Sequence, residues 1–227
     1  MTIPKGLIVS CQVENGSSFT MKILIPARKN SKGIPFKNRK LFDYTAKIIP
    51  DNYKQYTYVF SDDSVVNSYA KEYGFNITQR NENSAKDEST TKDMITDFCS
   101  NFDSSDFIVM LYLTYPSRKW EDVERAIKNF QEHELSSLLC RKEVKQTPYL
   151  MMFDVGNGRG KQVIRHNLSR RQDYRECFEI SHYISIFSPL VLDNLNNNLY
   201  NEHTYFMQIN EALDVDTEED MKCILTS

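Results

Sequence analysis

Two clusters of side chains, far apart in the sequence, have the chemistry of a phosphate site. Arg28, Lys29, Lys32 and Lys37 crowd the stretch from Pro26 to Asn38, which carries no acidic residue. Long basic side chains can reach successive phosphates, and a glycine among them, Gly33, lets neighbouring amides approach an anion closely. A charge run by itself equally describes a solvated basic loop. Near the other end, Asp214 and Asp216 stand at i and i+2, which puts both carboxylates on one side of an extended segment. Such a pair suits Mg²⁺, a hard cation that binds through one or two carboxylates plus substrate phosphates. The same residues also read as a helix start, with Asp216 or Thr217 capping a helix from Glu218 to Leu225. A nucleoside triphosphate would need both clusters, cations for its phosphates and carboxylates for the bridging metal.

The elements that must position these groups follow from the hydrophobic pattern. Met21 to Ile25 reads as a buried strand broken at Pro26. Asp43 to Ile48 reads as a short helix. Thr57 to Ser61 is the second core strand, and Asp62-Asp63-Ser64 caps a helix with Val65, Val66, Tyr69, Ala70 and Tyr73 on one face, closed by Gly74. Asn76 to Gln79 is a strand, Arg80 to Thr91 a polar loop, and a helix capped near Thr91 turns Met94, Ile95, Phe98 and Phe102 inward. Phe107 to Leu113 is apolar on both faces, as a central parallel strand is. A helix from Trp120 to His133 and a strand at Ser137 to Cys140 continue the alternation, which is that of an open, mostly parallel, three-layer α/β fold. Gly156-Asn157-Gly158 marks a hairpin inside a basic, polar segment. His182 to Phe187 and Tyr205 to Ile209 are strands that return the chain to the core.

The 227 residues suit one α/β domain with a modest appendage. We expect residues 1–20 to be an N-terminal extension, either an edge strand or disordered, 21–227 to be a single domain, and 141–179 to be a projecting arm. A net charge of −3 gives no electrostatic case for binding nucleic acid or an anionic membrane, so any phosphate affinity is local. Five scattered cysteines argue for reduced thiols, with neither a disulfide framework nor a zinc site. No apolar stretch reaches the length of a membrane span and no signal-peptide pattern opens the chain, so the expected setting is cytoplasmic.

The basic stretch Ala27-Arg28-Lys29-Asn30-Ser31-Lys32-Gly33-Ile34-Pro35-Phe36-Lys37-Asn38 resembles the signature Ala-Arg-x-x-Ser-Lys-Gly-[Ile/Leu]-Pro-x-Lys-Asn of the acylneuraminate cytidylyltransferases, with every fixed position present. Asp214-Val215-Asp216-Thr217-Glu218-Glu219-Asp220 resembles the family's Asp-[Ile/Val]-Asp-Thr-Glu-x-Asp. The resemblance implies a nucleotidyltransferase fold of the GT-A type and transfer of CMP from CTP to the anomeric hydroxyl of an acidic 2-keto-3-deoxy sugar, with pyrophosphate leaving. It assigns Arg28 and Lys32 to the triphosphate, Lys37 to phosphates at the reacting centre and Asn38 to the nucleotide, with Arg28, Lys37 and Asp216 as the catalytic set. Arg80, Asp87, Thr90 and Thr91 match a segment beside the cytosine and ribose, and Asp214 and Asp216 the Mg²⁺ site. It further implies a homodimer, in which the arm reaches a second subunit's site.

The sugar side departs from the pattern. Leu111-Tyr112-Leu113-Thr114-Tyr115-Pro116-Ser117-Arg118 replaces a family Leu-Gln-Pro-Thr-Ser-Pro-Leu-Arg, so Tyr112 takes the position of the glutamine associated with the sugar. Arg171-Gln172 keeps an Arg-Gln pair on the arm, and Arg171 can meet a sugar carboxylate in bidentate fashion. A second family arginine becomes Glu179, which would repel an acid there. Alternatives are therefore a non-catalytic CTP-binding homologue, a cytidylyltransferase acting on an unrelated acid, and a glycosyltransferase sharing the fold.

Overall fold

The structure, a computed structural model, describes residues 10–12, 18–30, 33–80, 90–102, 107–210 and 212–225. Its chain order is β1 (Ser10–Gln12), β2 (Ser18–Ala27), α1 (Lys37–Ala46), α2 (Asp51–Lys54), β3 (Thr57–Ser61), α3 (Ser64–Tyr73), β4 (Asn76–Gln79), α4 (Thr91–Cys99) and β5 (Phe107–Met110). There follow α5 (Trp120–Glu132), β6 (Ser137–Glu143), β7 (Met152–Asp154), β8 (Gly160–Gln162), β9 (Phe178–Phe187), β10 (Tyr205–Gln208) and α6 (Glu218–Leu225).

The main sheet runs β10-β6-β9-β5-β2-β3-β4. Its strands are parallel except β9, which lies antiparallel between β5 and β6. Helices cover both faces, as a parallel sheet requires. Ile23 and Ile25 of β2 enter a core with Phe42 of α1, Val66 and Ala70 of α3 and Val123 and Ile127 of α5. Leu24, between them, turns to the other face with Phe60, Ile108 and Met110, under Met94, Ile95 and Phe98 of α4. This alternation of neighbouring apolar residues between two cores makes the three layers expected from the sequence.

Several boundaries differ from the pattern reading. Strand β2 begins at Ser18, pairs at that end with β1, and continues through Pro26 to Ala27. β5 stops at Met110, and beyond it Leu111 and Leu113 are buried on either side of a half-buried Tyr112. The largest difference is α1, which opens at Lys37 and not at Asp43. Its first turn, Lys37 to Lys40, is wholly polar, and only Leu41, Phe42, Thr45 and Ala46 mark its buried face. Hydrophobic spacing therefore carries no signal for the part of the helix that bears the motif. The preceding Phe36 sits in the left-handed region at φ 54°, a conformation uncommon for a bulky residue, and sets the chain's entry into the helix.

Other local predictions coincide with the structure. Asp63 caps α3 by accepting the Val65 amide, and Gly74 ends it at φ 78°. Thr90 and Asp93 form a reciprocal capping box at α4. Within 141–179, β6 and β9 run on together beyond the main sheet, and β7 and β8 form the hairpin around Asn157. Cys99, Cys140, Cys177 and Cys223 are free thiols; Cys140 is buried, and its thiol is pushed up to about 12 by burial.

One polar contact fastens α1 to the sheet. Arg39 donates to Asp63 in bidentate fashion, Nε to Oδ2 at 2.7 Å and an Nη to Oδ1 at 3.0 Å, and Asp63 is 1% exposed. Burial alone would raise the Asp63 carboxyl, but the Arg39 hydrogen bond and the Val65 amide outweigh it and hold it below the usual carboxylate range. A depressed folded-state value adds stability above the unfolded pKa of about 4 and loses it as pH falls through the folded value. Asp63→Asn should therefore cost about 2–3 kcal/mol in urea unfolding at pH 7. The gap between variant and wild type should shrink as the titration is repeated below pH 4.

Candidate active site

The basic loop and the acidic segment meet. The Lys37 ammonium, on the first residue of α1, donates to the Val215 carbonyl at 2.8 Å and to Asp216 Oδ1 at 3.0 Å, across a separation of 178 and 179 residues. Its side chain is only 12% exposed, whereas that of Asp216 is 71% exposed. Val215 itself is fully buried and donates its amide to the Thr114 carbonyl at 2.8 Å. The segment before α6 is not a strand, and Val215 enters the core between a half-buried Asp214 and an exposed Asp216.

Asp216 does not cap α6. Asp220 accepts the amides of Asp216 and Thr217 at 3.1 and 2.8 Å, while the Thr217 hydroxyl accepts the Asp220 amide at 3.2 Å. The helix start is thus built by Thr217 and Asp220, and the Asp216 carboxylate is left for Lys37. Gly33 has a matching reason to be glycine: a Cβ there would stand 2.9 Å from the Asp216 carbonyl oxygen, a distance that would force the backbone apart.

The loop's other end is tied to the sheet. Asn38 Nδ2 donates to the Arg28 carbonyl at 2.8 Å, and the Lys29 amide donates to Asp62 Oδ1 at 2.7 Å. Asn38 therefore shapes the loop, whatever else it touches. Arg80 is 9% exposed, and burial pulls its guanidinium below the usual arginine range, with Asp62 opposing and Arg28 adding to the effect. Arg28 and Arg80 thus face the same space. Thr90 commits its hydroxyl to the capping box, accepting the Asp93 amide at 3.1 Å and donating to Asp93 at 2.8 Å. Burial pushes the Tyr112 hydroxyl up, with the neighbouring Thr91 and Arg80 opposing. Lys32 and Asp87 lie outside the described residues.

Tyr112 joins the two sides. It is close to Thr91 and Arg80 on one side, and its ring stands edge-on to His182 at 6.0 Å on the other. Burial holds the His182 imidazole below its ordinary range, with Asp214 opposing, so it is neutral at pH 7. Burial pushes the Tyr115 hydroxyl well above its ordinary range, with Asp214 adding to the effect, and that hydroxyl accepts from the Ser181 hydroxyl at 3.5 Å. Beneath this wall the buried Arg118 donates to the Tyr112 and Tyr183 carbonyls at 2.6 and 2.8 Å, with its pKa lowered to about 10 by burial. Arg118 supports this wall from below, yet its role has no signal in the sequence, because a buried structural cation has no periodic signature.

The remaining sugar-side residues lie on the arm and at its root. Arg171 and Gln172 occupy an exposed turn of the segment between β8 and β9. Glu179 is paired across the strands with Lys142 at 3.2 Å, so its charge is offset and it is not the bare repulsive group read from the sequence.

The donor set fits a divalent cation. Asp214 Oδ1 is buried without a hydrogen-bond partner, a costly state for an anionic oxygen that a metal would relieve. Among the described residues no group of three or more His, Cys, Asp and Glu is assembled. The chain would therefore offer Asp214 and Asp216, leaving the other positions to water and phosphate, as Mg²⁺ prefers.

Comparison with known proteins bears on what the site serves. The chain is 25% identical over 209 residues to an N-acylneuraminate cytidylyltransferase of Streptococcus agalactiae serotype V, covering 87% of this chain and 50% of that protein. It is also 25% identical to the post-translational flagellin modification protein B of Campylobacter coli, over 88% of this chain and 91% of that one. The solved structure of a CMP:2-keto-3-deoxy-manno-octonic acid synthetase complexed with CTP superposes with a TM-score of 0.64 at 15% identity, over 91% of this chain and 97% of that one. The fold is the cytidylyltransferase fold. A 4-diphosphocytidyl-2C-methyl-D-erythritol synthase from Anaerococcus prevotii shares it, with a TM-score of 0.60, 10% identity and coverage of 92% and 99%. No family model matches the chain. The chain spans about half the length of the streptococcal cytidylyltransferases it matches. Among its described residues no helix is long and apolar enough to cross a membrane.

Gly33→Ala is expected to cost about 1–2 kcal/mol in urea unfolding followed by Trp120 fluorescence, the usual price of forcing extra volume into a close contact. Unchanged stability would mean that the loop does not lie against Asp216 in solution.

Proposed function

We propose that the chain is a Mg²⁺-dependent cytidylyltransferase that transfers CMP from CTP to the anomeric hydroxyl of an acidic 2-keto-3-deoxy sugar, a sialic acid-like nonulosonic acid. The observation that carries this reading is the meeting of Lys37 with Val215 and Asp216, which joins a cluster of phosphate-binding cations to a pair of metal-binding carboxylates. The cytidylyltransferase fold and the streptococcal and Campylobacter relatives support it.

In this reading Arg28, Lys32 and Lys37 hold the triphosphate, and Arg80, Asp87, Thr91 and Asn38 border the nucleoside. The anomeric oxygen forms a bond to the α-phosphorus, the bond from that phosphorus to the oxygen bridging to the β-phosphorus breaks, pyrophosphate departs, and the hydroxyl proton passes to solvent. Negative charge grows on the α-phosphate oxygens and on the leaving group, where fixed cations are most effective. Asp214 and Asp216 would hold Mg²⁺, which would supply further neutralisation of the phosphate charge. Tyr112 and His182 form the wall against the acceptor. Arg171 and Gln172 reach an acceptor only from a second subunit, and the exposed Leu150, Met152, Phe153 and Val155 give the hairpin an apolar surface suited to a homodimer.

The aromatic wall favours one other reading, a homologue that binds CTP without turning over sugar acids. A pyrophosphate-release assay with CTP and a panel of 2-keto-3-deoxy sugar acids separates the two. Turnover is expected with at least one acid, falling about 100-fold or more in Lys37→Ala and Asp216→Asn. CTP binding by calorimetry with no turnover across the panel would favour the non-catalytic homologue.

A further inference from the structure

The Lys37 contact sets two functional groups against each other. In the structure the ammonium occupies the Asp216 carboxylate at 3.0 Å, while the reading above, on which this inference rests, needs that carboxylate for a metal and that ammonium for phosphate. A divalent cation placed on Asp214 and Asp216 would sit within a few ångströms of the positive charge on the Lys37 side chain, which is 12% exposed, and the two like charges would repel each other. A triphosphate removes the conflict by giving the ammonium another anionic partner.

We propose that Lys37 is a latch that couples metal binding to nucleotide binding. Without nucleotide it neutralises Asp216 and keeps the carboxylate pair a poor cation site. When phosphate draws the ammonium away, Asp216 is released and the pair becomes a metal site. Three features suit the part. The Val215 carbonyl, at 2.8 Å, anchors the ammonium so that only its carboxylate partner has to change. Asp216 is 71% exposed and outside the helix cap, so it is free to turn. Asp214 keeps a buried oxygen without a hydrogen-bond partner, leaving half of the cation site prepared. By linkage, metal must then favour nucleotide by the same factor that nucleotide favours metal.

The test uses Mn²⁺ as the probe, its binding read by the loss of the free-ion electron paramagnetic resonance signal, with no nucleotide present. Lys37→Met, which keeps the apolar stem, is expected to bind Mn²⁺ at least tenfold more tightly than wild type. Lys37→Met/Asp216→Asn should lose that gain, and Lys40→Met, which removes an exposed charge one turn along α1, should leave Mn²⁺ affinity unchanged. In wild-type protein, the ¹⁵N ammonium resonance of Lys37 should be protected from exchange without ligand and should shift on adding CTP in EDTA. Calorimetry of CTP in EDTA checks the underlying reading separately. CTP binding together with Mn²⁺ affinity within twofold of wild type in Lys37→Met, or with an unprotected ammonium, would overturn the latch and leave the cytidylyltransferase reading standing. Absence of CTP binding would overturn that reading and the latch with it.

Discussion

The site depends on one short contact between residues from opposite ends of the chain. Lys37 closes on Val215 and Asp216, and the surrounding structure makes that closure possible. Gly33 lets the loop approach the Asp216 carbonyl, and Phe36 turns the chain so that α1 begins with the lysine. Thr217 and Asp220 build the next helix without using Asp216. Buried Val215 and its bond to Thr114 hold the acidic segment in place. A single ammonium could not gather these pieces, since an ion pair with one exposed partner contributes little. The apolar core and the backbone bonds bring the charges together.

The layers were readable in the sequence because they follow from periodicity. Adjacent apolar residues in β2 must serve two cores, and helices with one apolar face must lie over them. The start of α1 was not readable, because its first turn is polar and its left-handed entry at Phe36 has no pattern. The two chemical clusters were visible as residue types, yet their meeting was not. Spacing says nothing about contacts between residues 179 positions apart, and a family resemblance supplied what periodicity could not. The partly exposed Arg39 and the buried Arg118 were missed for the same reason: their partners are a distant carboxylate and backbone carbonyls.

The two halves of the site are built differently. The phosphate half is dense with backbone anchors: Lys29 to Asp62, Asn38 to Arg28, Lys37 to Val215. The opposite wall is aromatic, with Tyr112 against His182 and Tyr115 against Tyr183, and rests on Arg118 underneath. The basic loop is held by bonds to the backbone, whereas the opposite wall is built from packed side chains.

The reversed strand β9 has a consequence for how the cleft is built. Because it runs against its neighbours, its first residues, Phe178 to His182, lie at the same rim of the sheet where β2, β3 and β5 end. His182 and Tyr183 of the aromatic wall, and the root of the projecting ribbon, are therefore carried by a strand that supplies no residue to the basic loop. One reversed strand thus links the ribbon to one side of the cleft only.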